Sequence, residues 1–79
     1  MNYTTPQEKT QIRIEIRKFL AEHDLKLSQY CRKFGVDYNV TYANINTYSA
    51  IQHDFVNEFV QRLDAGKSLQ NVGGKLVIK

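Results

Sequence analysis

A glycine at position 35 ends a short segment whose apolar residues follow helical spacing. Tyr30, Cys31 and Phe34 fall on one face of a helix of about eight residues. Ser28 is expected to cap this helix, because its hydroxyl can accept a bond from a free N–H of the opening turn. A chain leaving a helix often needs a positive φ, which glycine adopts without steric cost. Gly35 therefore predicts a tight turn directly after the helix.

A second short helix is predicted after this turn, from Asp37 to about Asn46. Val36 is apolar and can fill the corner, while Asp37 can cap the new helix. We expect Val40 and Ala43 on its inward face, with Ile45 or Thr47 completing it. Two short helices joined by a glycine turn are typical of a helix-turn-helix, in which the second helix reads DNA bases.

The segment before this pair carries several helix-starting signals. Thr5 can be the N-cap, Pro6 fits the first helical position, and Glu8 completes a capping box. These signals predict a helix of about 17 residues after a loose arm at 1–4. Its core stripe is Ile12, Ile16, Phe19 and Leu20. The cations on its other faces, Arg13 and Arg17 among them, are expected in solvent.

A fourth helix is predicted after the pair, with Ser49 and Gln52 as a capping box and Gly66 as the C-cap. Its apolar face is broad, so part of it is a candidate subunit contact. The residues of this face are Ile51, Phe55, Val56, Phe59, Val60 and Leu63.

The last segment has the alternation of a β-hairpin. Gly73 and Gly74 form a two-residue turn signal between two short strands. Pairing across the turn puts Leu69, Leu76 and Ile78 on one face. An isolated hairpin is marginal in water, so this one must lie on the helices or pair with another chain. It would either join subunits or act as a small wing beside DNA.

The predicted fold is mainly α, a four-helix helix-turn-helix domain with a C-terminal β-hairpin. We expect one domain, 1–79, with the helical core at 5–66 and the hairpin at 67–79. The net charge of +3 suits nucleic acid or an acidic protein surface. One cysteine cannot form an internal disulfide, and no apolar run approaches 18 residues. These features favour a cytoplasmic protein that does not cross a membrane.

No constellation of catalytic or metal-binding residues stands out. His23 and His53 have no suitable ligand at i+3 or i+4, and Cys31 is expected to be a buried thiol. The acidic residues show no paired pattern suited to acid–base work. We therefore expect a binding protein and not an enzyme, without a cofactor, a metal or a small-molecule substrate.

The residues Leu27-Ser28-Gln29 and Gly35-Val36, with the helix that follows, resemble the Cro/C1-type (lambda repressor-like) helix-turn-helix regulators of phages. In that family the glutamine after the capping serine contacts the operator. Positions three, four and seven after the glycine read bases. The resemblance thus implies base contacts by Gln29, Tyr38, Asn39 and Tyr42.

One position departs from the family pattern. The family has a branched apolar residue six positions after the glycine, where this chain has Thr41, and Val40 comes one position early. Either the turn differs by one residue, or Thr41 packs inward with its hydroxyl bonded to the backbone.

The sequence thus favours a small, sequence-specific transcriptional regulator that binds double-stranded DNA as a homodimer. Lys26, Lys33 and Asn46 are candidates for contacts with backbone phosphates. The alternative is a protein–protein interaction module on a helix-turn-helix core that does not bind DNA. The absence of Lys and Arg from Asp37 to Gln52 favours this alternative, since a DNA-reading helix normally carries a cation.

Overall fold

The computed structural model describes residues 3–79 and is mainly helical, with a C-terminal two-stranded antiparallel sheet. This coarse architecture was expected and is confirmed. The helices are α1 (Pro6–Glu22), α2 (Leu27–Phe34), α3 (Tyr38–Tyr42, continued by a π-helical turn at Ala43–Thr47) and α4 (His53–Leu63). The strands are β1 (Leu69–Val72) and β2 (Lys75–Ile78).

The start of α1 is as predicted. The Thr5 hydroxyl accepts a bond from the Glu8 N–H at 3.2 Å, and the Glu8 carboxylate accepts one from the Thr5 N–H at 2.9 Å. Pro6 occupies the first helical position. The stripe of four apolar residues on this helix is buried, so α1 has the core face that its spacing predicts.

Residues 3 and 4, just before α1, do not form a loose arm. The Thr4 N–H donates to the Ile51 carbonyl at 2.9 Å, and the Ile51 N–H donates to the Thr4 hydroxyl at 3.0 Å. Tyr3 forms an isolated antiparallel bridge with Gln52. The predicted arm is therefore wrong at positions 3 and 4, while Met1 and Asn2 lie outside the described residues.

The first turn of α2 is capped by a glutamine and not by the predicted serine. Lys26 is the N-cap, and its N–H donates to Gln29 Oε1 at 2.8 Å. Ser28 therefore lies inside the helix and does not cap it. Gln29 occupies the third helical position, from which its side chain can reach back to the free N–H of the N-cap residue. The predicted end is confirmed: Gly35 is left-handed, with φ of 66°, and its N–H bonds to the Cys31 carbonyl.

The predicted cap of α3 is confirmed. Val40 was wrongly placed on the inward face, and the alternative in which Thr41 packs inward is the one observed. Asp37 Oδ1 accepts a bond from the Val40 N–H at 3.0 Å. Val40 is 57% exposed, whereas Thr41 is only 5% exposed. The Thr41 hydroxyl donates to the Asp37 carbonyl at 2.8 Å. The burial of this polar residue is tolerated because its hydroxyl is satisfied within the helix.

The π-helical turn was not foreseen. The Tyr48 N–H reaches back five residues to the Ala43 carbonyl, at 3.0 Å. This turn carries Ile45 into the core, where it is 5% exposed. π-Helical turns are rare, and those that occur often lie at functional sites. The surroundings of α3 are therefore a candidate place for a binding site.

The predicted ends of α4 are wrong. Gln52 is the N-cap but makes no side-chain bond, so it forms no capping box with Ser49. The helix ends in extended backbone at Asp64, and Gly66 is not the cap but donates its N–H to Asp64 Oδ1 at 3.0 Å. The residues of its apolar face all lie in the core or pack against it, because the hairpin and α2 cover this face.

Tyr30 joins α2 to α4. It is fully buried and stacks on Phe59, with ring centroids 4.0 Å apart. Its hydroxyl donates to the Phe59 carbonyl at 2.7 Å and accepts a bond from Arg62 at 3.3 Å. Burial raises the pKa of the Tyr30 hydroxyl, and the neighbouring Arg62 offsets part of that effect.

The hairpin has the predicted turn and register. Gly73 and Gly74 both have positive φ, at 60° and 82°, as a tight two-residue turn requires. Leu69 pairs with Ile78, and Leu76 is buried against the helices. Two helical side chains form hydrogen bonds with the strands. Asn57 accepts a bond from the Leu69 N–H at 2.8 Å, and Glu15 accepts one from the Ile78 N–H at 3.2 Å.

Candidate binding surface

A groove of about 510 Å³ lies between α1 and α3. Each helix contributes a row of side chains spaced by four residues, so each row lies along one helix face. The row on α1 is Arg13, Arg17 and Ala21, and the row on α3 with its π turn is Tyr38, Tyr42 and Asn46. Apolar side chains form much of the remaining lining: Ile16, Leu20, Leu25, Leu27 and Ile45.

The charge of this groove has a single sign. Arg13, Arg17 and Lys26 are among its twelve lining residues, and no acidic residue is. Within residues 3–79 none of these cations forms a salt bridge; the pair found there joins Lys18 to Glu15 at 3.7 Å. The groove therefore concentrates positive potential beside α3.

Arg13 has an unsatisfied donor in this groove. Its Nε is buried and has no hydrogen-bond partner among the residues that the structure describes. Buried N–H groups are nearly always paired, and an unpaired one costs about 1–3 kcal/mol. Arg13, whose side chain lines the groove, therefore carries a donor that has no acceptor among the described residues.

The two tyrosines of the groove are partly open to solvent. Tyr38 is 43% exposed and Tyr42 is 46% exposed. Their rings lie 5.9 Å apart between centroids and are tilted by 33°. The pair offers an aromatic surface and two hydroxyls close to the arginines of α1.

The seven residues predicted to contact DNA divide into two groups. Those in the groove lining are Lys26, Tyr38, Tyr42 and Asn46, whereas Gln29, Asn39 and Lys33 lie outside it. The latter three are exposed. Gln29 uses its carbonyl oxygen on the Lys26 N–H, and the Lys33 ammonium lies 5.8 Å from the Phe34 ring centroid.

Sequence reasoning missed the arginines of α1. Arg17 is exposed as expected, but both Arg13 and Arg17 line the groove. Their spacing of four residues, each next to a core position at Ile12 and Ile16, was the available signal. What the sequence does not contain is the position of that helix face relative to α3.

A further hollow lies near the connection between α3 and α4. It is lined by Tyr3, Asn44, Tyr48, Ser49, Ala50 and Gln52. Lys9 donates to the Tyr48 carbonyl at its edge. Its lining residues carry no charge, so it offers less to a charged ligand than the groove does.

No family model, curated protein or solved structure gives a significant match to this chain. In the part of the chain described, no three His, Cys, Asp or Glu side chains are grouped as metal ligands. Over the same residues no helix has both the length and the hydropathy to cross a bilayer.

Proposed function

We propose that this protein binds double-stranded DNA through a helix-turn-helix formed by α2 and α3, as a small transcriptional regulator of the Cro type. The observation that carries the proposal is that three cations without a salt bridge, Arg13, Arg17 and Lys26, lie beside the exposed face of α3. These cations matter because α3 supplies none itself, since no Lys or Arg lies between Asp37 and Gln52.

In this proposal α3 enters the major groove. Tyr38, Asn39 and Tyr42 are exposed on it and can reach base edges. An asparagine amide can bond adenine in two places, and a tyrosine ring can contact the thymine methyl. Gln29 keeps its amide NH₂ for DNA, because only its oxygen serves as a cap.

The phosphate contacts would come from both sides of α3. Lys26 and Lys33 are exposed near the two ends of α2, and Asn46 lies at the far end of α3. A homodimer would place two copies of α3 on half-sites about one helical turn apart. The hairpin packs on α1 and α4, so in this proposal it supports the core beside either a subunit contact or a DNA wing.

A titration of short duplex DNA at several salt concentrations tests this function. Binding through several phosphates should weaken steeply as the salt concentration rises. Lys26→Gln should reduce both the affinity and the salt dependence. Lys18→Gln, an exposed change on α1 outside the groove lining, is the matched control and should affect neither. Absence of duplex binding at low salt would rule out the proposal.

Binding to another protein is the second candidate function. Val40 is 57% exposed on the uncharged outer face of α3, and Tyr48 is 53% exposed beyond its π turn. An exposed apolar side chain on a recognition surface suits a protein partner as well as DNA. Val40→Asp would abolish binding to a protein partner. If Val40→Asp still binds duplex DNA with the same salt dependence, α3 is not inserted in the DNA groove.

A further inference from the structure

We propose that the groove between α1 and α3 is a binding site for a small amphipathic anion, with a carboxylate or phosphate head on an apolar body. This site does not depend on DNA binding. It shares Tyr38 and Tyr42 with the surface proposed to contact bases, so an occupant of the groove would compete with a duplex.

The head group is indicated by the unpaired donor of Arg13. Its Nε is buried yet has no acceptor within residues 3–79. A guanidinium offers a planar fork that matches the paired oxygens of a carboxylate or phosphate. Arg17 and Lys26 line the same groove without an acidic neighbour in its lining, which adds attraction for a negative charge.

The apolar body is indicated by the floor of the groove. Ile16, Leu20 and Ile45 lie beneath the arginines, and the rings of Tyr38 and Tyr42 form the opposite wall. The volume of about 510 Å³ falls within the usual range for small-molecule sites, about 300–1,000 Å³. A purely inorganic anion would leave this apolar surface unused.

The apolar floor separates this site from a simple contact with DNA phosphates. Phosphates of a duplex are held by polar contacts to their oxygens and offer nothing to an apolar floor. A ligand that enters the groove can cover this floor while its head meets the guanidinium of Arg13. The groove therefore gives a small amphipathic anion contacts that a phosphate of the DNA backbone would not make.

Titration of the isotope-labelled protein with octanoate and with octyl phosphate, followed by NMR, tests the site without DNA. We expect saturable chemical-shift changes centred on Arg13, Tyr42 and Ile45. Acetate supplies the head alone and 1-octanol the body alone, and each should bind at least about tenfold more weakly. Comparison of octanoate with octyl phosphate identifies the preferred head group.

Two variants locate the site. Arg13→Gln should weaken octanoate binding by about tenfold or more, while Arg32→Gln, an exposed change on α2 outside the groove, should leave it unchanged. Ala21→Phe keeps every charge but fills the groove, and should also block binding. The proposal is overturned if octanoate and octyl phosphate give no saturable shifts at the groove. It is equally overturned if the Arg13 and Arg32 variants bind alike, or if Arg13→Gln weakens only duplex binding.

Discussion

Replacement of Tyr30 by Phe should measure the hydrogen bond that joins α2 to α4. The ring and its stacking on Phe59 are kept, and only the hydroxyl, which donates to the Phe59 carbonyl at 2.7 Å, is lost. A neutral buried hydrogen bond contributes about 0.5–1.5 kcal/mol. Arg62 is exposed, so its guanidinium can return to water at little cost. We expect a loss of about 1 kcal/mol, which lowers Tm by about 4–8 °C.

The same substitution should change the stability at alkaline pH. The pKa of Tyr30 is raised in the folded protein above its ordinary value of 10.0, chiefly by burial. The unfolded chain therefore loses the Tyr30 proton first. Its contribution to stability is complete below pH 10 and is lost as the pH rises through the folded pKa, by up to about 1.4 kcal/mol per pH unit. Tyr30→Phe removes this alkaline component.

Urea unfolding at neutral pH and at a series of alkaline pH values measures both effects. Tyr48→Phe is the matched control, because Tyr48 is 53% exposed, and it should change neither the neutral stability nor the alkaline slope. The assigned role of the hydroxyl is wrong if two results are found together. The free energy of unfolding of Tyr30→Phe would equal that of the wild type at neutral pH, and it would fall with pH in the same way above pH 10.

Five further substitutions test the turn, the register of α3 and the proposed DNA contacts. Gly35→Ala should lower the free energy of unfolding in urea by about 1–2 kcal/mol. The cost comes from the left-handed φ of 66° and not from a clash, since no atom lies near the added Cβ. An unchanged midpoint would contradict the left-handed turn. Thr41→Ala should cost about 1–2 kcal/mol and Val40→Ala less than about 0.5 kcal/mol, and the reverse order would contradict the observed burial. Lys26→Gln and Lys33→Gln should each reduce the slope of log affinity against log salt by about 1; an unchanged slope would remove them from the phosphate contacts.

Local chemistry predicted the elements whose signals lie within a few residues. The capping box at Thr5, the left-handed Gly35, the Asp37 cap and the Gly73-Gly74 turn each depend on neighbouring backbone atoms. Such signals are contained in the sequence itself. The helix stripes and the hairpin register followed from spacing alone.

The errors arose where two local solutions compete or where tertiary packing decides. Ser28 and Gln29 can both satisfy the first turn of α2, and the glutamine does so. Val40 is more apolar than Thr41 and was placed inward, yet it is Thr41, left open as the alternative, that faces the core. A threonine hydroxyl that bonds within its own helix makes that burial tolerable.

The candidate site was only partly accessible to sequence reasoning. Tyr38, Tyr42 and Lys26 were singled out from the motif, but Arg13 and Arg17 were assigned to a solvent face. Their role depends on how α1 packs beside α3, with at least 20 residues of chain between the arginines and the tyrosines. Neither the spacing of the residues nor the composition shows how close α1 and α3 lie in the folded protein.

The side chains of Asn57 and Glu15 also affect how the hairpin behaves among identical molecules. An open strand edge is a template for pairing with another chain and for aggregation. Here the Leu69 N–H and the Ile78 N–H, one on each strand, are already occupied by these helical side chains. A neighbouring strand could pair at those positions only by displacing them. These two bonds hinder intermolecular sheet growth at the end of the hairpin away from its turn.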